Sequence, residues 1–176
     1  SGPDHERGSG PGRELPNRPA GHNWSRIVDD PSGSGGLGVQ VPLAVLADYA
    51  NVTDNKKLNI MGIFNLITAV EVPAAHNQMQ LVFVLEADPT ERGAKKQIQI
   101  VLMDEDGTQL VTLGTEIQVP TGGPLVQRMN QMVQLNGLVF PRFGTYSFII
   151  KVNDDQKASV SFTVEQTKPR VLPPTT

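Results

Sequence analysis

Cysteine is absent from all 176 residues, which excludes a disulfide framework, a thiolate zinc site, a cysteine nucleophile and a thiolate-held iron–sulfur cluster. Aromatic side chains are scarce at 5%, and charged residues make up 19%. The 15 basic against 18 acidic residues leave a formal net charge of -3. That field is too weak to steer a polyanion, so no nucleic-acid partner is expected. Long apolar runs are missing as well: nothing approaches the roughly 20 residues of a bilayer-crossing helix, and no membrane partner is expected. The N-terminal stretch has neither the basic start nor the apolar core of a secretory signal. Together with the missing cysteines, this points to a cytoplasmic protein.

Glycine and proline are plentiful but unevenly placed. Residues 1–38 hold nine Gly, five Pro and five Ser, half of the segment. Its larger apolar side chains are few (Leu15, Trp24, Ile27, Val28, Leu37), too few to offset the chain entropy of ordering. The segment is expected to be a disordered tail or linker. Residues 168–176 carry three prolines in nine residues and are expected to be a second disordered tail. The folded unit is then residues 39–167.

Within that unit, period-two alternation dominates, as in strands with one buried face. Tyr146, Phe148, Ile150 and Val152 alternate with Ser147, Ile149 and Lys151; Ala158, Val160, Phe162 and Val164 alternate with serines, Thr163 and Glu165. Asn153-Asp154-Asp155-Gln156 between them is turn chemistry, because Asn and Asp tolerate left-handed backbone. A second hairpin joins Ile98, Ile100 and Leu102 to Val111, Leu113, Thr115, Ile117 and Val119 through Asp104-Glu105-Asp106-Gly107. Met79, Leu81, Phe83 and Leu85 mark another strand, Val41 to Tyr49 another, Leu58 to Leu66 another, and Arg128 to Leu135 the last. Seven or eight strands without crossover helices predict an all-β, antiparallel, immunoglobulin-like sandwich.

Two details sharpen this expectation. Gly62 interrupts its strand, where a glycine marks a bulge or close backbone approach. Tyr146 follows the corner Phe140-Pro141-Arg142-Phe143-Gly144, the place of a tyrosine corner, whose hydroxyl bonds upstream main chain; a plain half-buried strand aromatic is the alternative. The run Leu46-Ala47-Asp48-Tyr49-Ala50, then Lys57-Leu58-Asn59-Ile60-Met61-Gly62-Ile63-Phe64, and the closing Gly144 and Tyr146 together resemble the bacterial family called domain of unknown function 6941. The resemblance spans residues 41–165. It implies a β-sandwich and a bacterial origin, and brings no activity, cofactor or catalytic residue.

Groups for catalysis are thin. Of the histidines, His5 and His22 fall in the N-terminal tail and His76 in an expected exposed loop, Pro73-Ala74-Ala75-His76-Asn77. No Gly-x-Ser-x-Gly nucleophile elbow accompanies them. Asp104-Glu105-Asp106-Gly107 lacks the spacing and downstream Glu of a calcium loop; Asp154-Asp155 would add ligands only from the same end of the sandwich. Thr121-Gly122-Gly123-Pro124 lacks the Lys-Ser/Thr of a phosphate loop and reads as a bend. Arg92, Lys95 and Lys96 read as a charged guard on a solvated strand edge. The expectation is therefore no enzyme, no metal and no cofactor.

Trp24, the sole tryptophan, stands in polar sequence with Arg26, Ile27 and Val28 beside it. Trp and Arg are enriched at binding hot spots, so these four residues form a candidate docking segment for a protein partner. Met61, Ile63, Val82, Val84, Val101, Met103 and Ile149 fall on faces the alternation leaves wet, as an interface does. The reading is a non-enzymatic protein-binding or assembly module, a homo-oligomeric structural component of a larger bacterial particle. The alternative is a small-molecule or carbohydrate-binding domain using the acidic loops.

Overall fold

The computed structural model describes residues 38–167. Nine strands follow in order: β1 (Val39–Val52), β2 (Leu58–Phe64), β3 (Leu66–Ala69), β4 (Ala74–Ala87), β5 (Lys95–Asp104), β6 (Gln109–Gln118), β7 (Gln127–Phe140), β8 (Gly144–Val152) and β9 (Asp155–Gln166). A single 3-10 turn, Pro89–Glu91, is the sole helical element among the described residues. The strands form two sheets, β2-β1-β4-β7 and β3-β9-β8-β5-β6, and the fold is the all-β immunoglobulin-like sandwich that the alternation predicts.

The ninth strand has a local cause. The run expected as one strand from Leu58 to Leu66 divides at Asn65, so β2 pairs antiparallel with β1 while β3 crosses to the other sheet and pairs parallel with β9. The Asn65 carbonyl accepts the Thr163 N–H at 2.9 Å, anchoring the crossing.

Between the sheets lies one continuous apolar core. Met79, Leu81, Phe83 and Leu85 of β4 face Ile98, Ile100 and Leu102 of β5 and Tyr146, Phe148 and Ile150 of β8. Phe162 stacks on Phe148 and Tyr146, with ring centroids 5.7 and 5.8 Å apart, and meets Phe140 edge-on at 5.6 Å. Each such buried ring contributes roughly 1.5–3 kcal/mol by removing apolar area from water. The β8–β9 register sets Phe148 opposite Val160 and Tyr146 opposite Phe162, the inward pairing expected of this hairpin.

The first hairpin behaves differently. Pairing between β1 and β4 ends at Ala47↔Gln80, while β1 and β2 continue together to Val52↔Leu58. Beyond Ala47 the ribbon folds back across the outer face of β4 and β7, so that Val52, Lys56 and Leu58 line one cleft with Val84, Arg128 and Asn130. Gln80 follows the fold: its Oε1 accepts the Ala50 N–H at 2.8 Å, satisfying a buried donor beyond the last β1–β4 pair. At the bend, Gly62 adopts φ +67°, and a Cβ there would stand 2.2 Å from Asp48 Oδ2. This is the close approach that an interrupting glycine implies.

The fold-back corrects part of the expected wet face. Val82 is 0% and Val84 9% exposed, although both point away from the inter-sheet core. On the other sheet Val101 and Ile149 are also buried; they are ladder partners on β5 and β8, interior strands with neighbours on both sides. Met61 and Ile63 stay exposed at 56% and 62%.

Candidate functional site

The richest polar cluster ties the β5–β6 turn to the corner before β8. Asp104 Oδ1 accepts the Thr108 N–H at 2.8 Å and the Asp106 N–H at 3.0 Å, while Oδ2 accepts Arg142 Nη2. Arg142 Nη1 donates to Asp106 Oδ2 at 2.8 Å. Tyr146 completes the corner, its hydroxyl donating to the Arg142 carbonyl at 2.8 Å; this is the tyrosine corner expected there. Burial works to raise the Asp104 carboxyl, but the Thr108 N–H, Arg142 and the Asp106 N–H outweigh it and hold the group below its ordinary 3.8. The unfolded chain therefore takes up this proton first as pH falls. The clasp stabilises the fold above the ordinary carboxylate range and loses that effect as pH drops through the depressed folded value. A carboxylate so saturated with donors is a structural acceptor and a poor proton shuttle.

The second acidic turn lies elsewhere. β8 starts beside Asp104, paired with Tyr146, and ends beside Asp155, paired with Val152, so the two turns sit at opposite ends of the sheet. Among the described residues no three His, Asp or Glu side chains are placed to share a metal ion.

The basic trio does not guard an edge. β5 is an interior strand, between β8 and β6. Lys95 Nζ pairs with Glu116 at 2.8 Å, Lys96 is buried against Glu91, and Arg92 Nη2 donates to the Pro124 carbonyl at 2.8 Å. The Arg92 contact braces the loop before β5 against the bend at Thr121–Pro124. A polar cleft of about 200 Å³ opens beside them, lined by Glu91, Lys96, Asp155 and Lys157. Each lysine in it is matched by a carboxylate, Lys157 pairing with Asp155 at 2.7 Å.

His76 also departs from expectation. It lies in β4, not in a loop, half-buried, with its ring 5.8 Å from Phe64. Its Nε2 is buried without a hydrogen-bond partner. Among the described residues no hydroxyl or carboxylate meets that nitrogen, as a Ser-His or His-carboxylate pair requires.

Several exposed large apolar side chains lie on strands, others such as Val70 and Leu125 in bends. Tyr49 and Met61 are cross-strand partners on the folded-back ribbon, Ile63 follows opposite Ala47, and all three are exposed. The free edges of β6 and β7 flank a slot of about 170 Å³ lined by Ile98, Ile100, Leu113, Gly114, Thr115 and Val133. The candidate docking segment Trp24, Arg26, Ile27 and Val28 lies outside the described residues.

Residues 42–165 match the profile of the family of unknown function DUF6941. The chain belongs to this family. No curated protein matches it. Among solved structures, one similar to this DUF6941 chain is Pseudomonas fluorescens alkylpurine DNA glycosylase AlkC bound to DNA containing an abasic site analog, 12% identical with a TM-score of 0.47. The likeness covers 74% of this chain and 31% of the glycosylase chain, under a third of its length. Another is an immunoglobulin-like protein from Pseudomonas aeruginosa, 12% identical with a TM-score of 0.40, covering 72% of this chain and 95% of that one.

Sequence reasoning found Met61 and Ile63 but passed over Tyr49, the slot and the edge status of β7 in this DUF6941 chain. Alternation marks which residues share a face; it carries no record of which strands end a sheet. A usable signal for β7 was its composition, since residues 129–140 contain no charge and no proline.

Proposed function

We propose that the chain is a non-enzymatic binding module that holds a protein partner through the exposed ribbon of β1 and β2. The observation that carries this is the grouping of Tyr49, Met61 and Ile63, three large apolar side chains left in water within one short stretch of paired strand. Scattered single apolar residues are ordinary on a surface, whereas a grouped set rimmed by polar residues such as Asp48, Asn51 and Asn59 marks an interface. Tyr and Met also suit such a site, offering large contact area at low entropy cost or adaptable shape.

The test compares wild type with Ile63→Lys and Met61→Lys as bait in source-cell extract, followed by titration of each purified recovered protein. A genuine partner is retained by wild type and binds either variant ~2 kcal/mol or more weakly. Recovery of the same proteins at the same affinity by both variants refutes this reading.

A further inference from the structure

We propose that β7 is a self-association edge, pairing antiparallel with β7 of a second copy to continue the β2-β1-β4-β7 sheet across a two-fold axis. This deepens the binding-module reading on which it rests, by naming a partner and a second surface.

A free strand edge presents unpaired N–H and C=O groups, and proteins normally guard such edges with charge, proline, shortness or a kink. The other three edges among the described strands are shorter. β3 has four residues, β2 has seven with left-handed Gly62 past its midpoint, and β6 has ten, its one charge, Glu116, paired with Lys95. β7 is 14 residues long and pairs along its length with β4 alone among the described strands. From Met129 to Phe140 it has neither charge nor proline, and its single cation, Arg128, is neutralised by Glu86 on β4. Left-handed Gly137, φ +62°, breaks only its far end.

Charge selects the occupant. An edge without free charge has nothing to attract an oppositely charged strand, yet it opposes no like charges when it meets itself. With the two-fold axis normal to the sheet, residues of equal parity face one another. A pairing centred anywhere from Asn130 to Gln134 then sets Arg128 against an uncharged residue of the second copy. Met132, exposed at 40%, falls in the middle of this row. The slot at Leu113 and Val133 lies along the same edge on the inward face, so a second copy brings an identical apolar surface beside it. A foreign strand supplies the ladder but not that matching surface. The resulting interface is isologous and closed, which avoids open-ended growth.

The experiment is sedimentation equilibrium on the full chain, with melting followed in parallel. The expected result is a reversible dimer that Met132→Lys weakens ~10-fold or more, with melting unchanged, because an axis at residues 131 to 133 brings the two lysines opposite or diagonal to each other and an axis at Asn130 sets each against Arg128. Gln134→Lys, exposed on the same row, replaces Met132→Lys if that variant melts early. Since the chain has no cysteine, single cysteines placed in turn at residues 130 to 134 report the register. Directly opposed positions lie about 5.5 Å apart and oxidise to a covalent dimer, so crosslinking peaks at one position. A monomer at all concentrations, a dimer indifferent to lysine at both row positions, or flat crosslinking overturns the proposal. So does a dimer lost when residues 1–37 are removed, which assigns the edge to that segment. Ile63→Lys separates the two readings: a monomer that still loses a partner through Ile63→Lys refutes edge pairing while the binding-module reading stands. A dimer that Ile63→Lys abolishes and Met132→Lys leaves intact moves the contact to the ribbon and refutes edge pairing too.

Discussion

The β8–β9 and β1–β2 hairpins begin from the same local recipe and end in different places. β8–β9 turns through Asn153 and Asp154, both left-handed, and both strands stay in their sheet, with Tyr146, Phe148, Ile150 and Phe162 buried in the shared core. β1–β2 turns near left-handed Lys56, but its outer half leaves the sheet after Ala47 and covers Val82 and Val84 on the opposite face. Both hairpins alternate. The difference lies in what each finds to cover: β8–β9 meets the inter-sheet core, whereas the end of β1–β2 finds an apolar outer face on β4 and a glycine that lets it bend. Alternation therefore says which side chains travel together and leaves open which surface they bury.

The comparison breaks hardest at the aromatic pair of the plain hairpin. Phe148→Ala or Phe162→Ala removes a buried ring from the stacked cluster and leaves a cavity, so either is expected to cost ~3–5 kcal/mol in denaturant unfolding. That is a large share of the ~5–15 kcal/mol of a typical domain. Two near-neutral results contradict the register, and sensitivity at Ile149 and Ser161 instead identifies a one-residue slip.

The legible parts of the molecule are those settled by neighbours in sequence. The β5–β6 and β8–β9 turns, the inward rows at Ile98–Leu102 and Tyr146–Val152, and the Tyr146 corner all depend on residues a few positions apart. Features set by distant contacts were not legible. His76 reads as loop because Pro73 and Asn77 bracket it, yet β4 starts at Ala74 and pairs His76 with Leu138 of β7. Lys96 reads as a wet guard, yet its strand is interior and Glu91 meets it from the preceding loop. Of the candidate surface, Met61 and Ile63 were visible as outward apolar residues, while the burial of Val82 depended on a ribbon folded over it from another strand.

A smaller effect tests whether the first hairpin is held in its folded-back position. Gln80 Oε1 accepts the Ala50 N–H, and both residues are buried. Gln80→Leu keeps the volume roughly and removes the acceptor, stranding that donor at a cost of ~1–3 kcal/mol. Hydrogen exchange at Ala50 gives the local readout: exchange is expected to quicken there while the amides of β8 and β9 change no more than global stability requires. Equal acceleration in both hairpins contradicts a separately held fold-back.

The smallest effect isolates the bend itself. Gly62→Ala places a methyl where Asp48 Oδ2 would stand 2.2 Å away, and it forces a non-glycine residue to φ +67°. These two penalties differ in kind. Asp48 is exposed and its carboxylate is the far end of a rotatable side chain, so the steric conflict is relieved at little cost. The backbone conflict has no such outlet, because the left-handed region brings Cβ against its own carbonyl whatever the neighbours do, costing roughly 1–2 kcal/mol. Gly62→Ala is therefore expected to lower stability by ~1–2 kcal/mol, and the double variant with Asp48→Ser to recover only a small part. Full recovery in the double variant makes crowding at Asp48 the cause. If Gly62→Ala is neutral, the ribbon does not need left-handed backbone at this point, and the account of why β1–β2 folds back fails at its hinge.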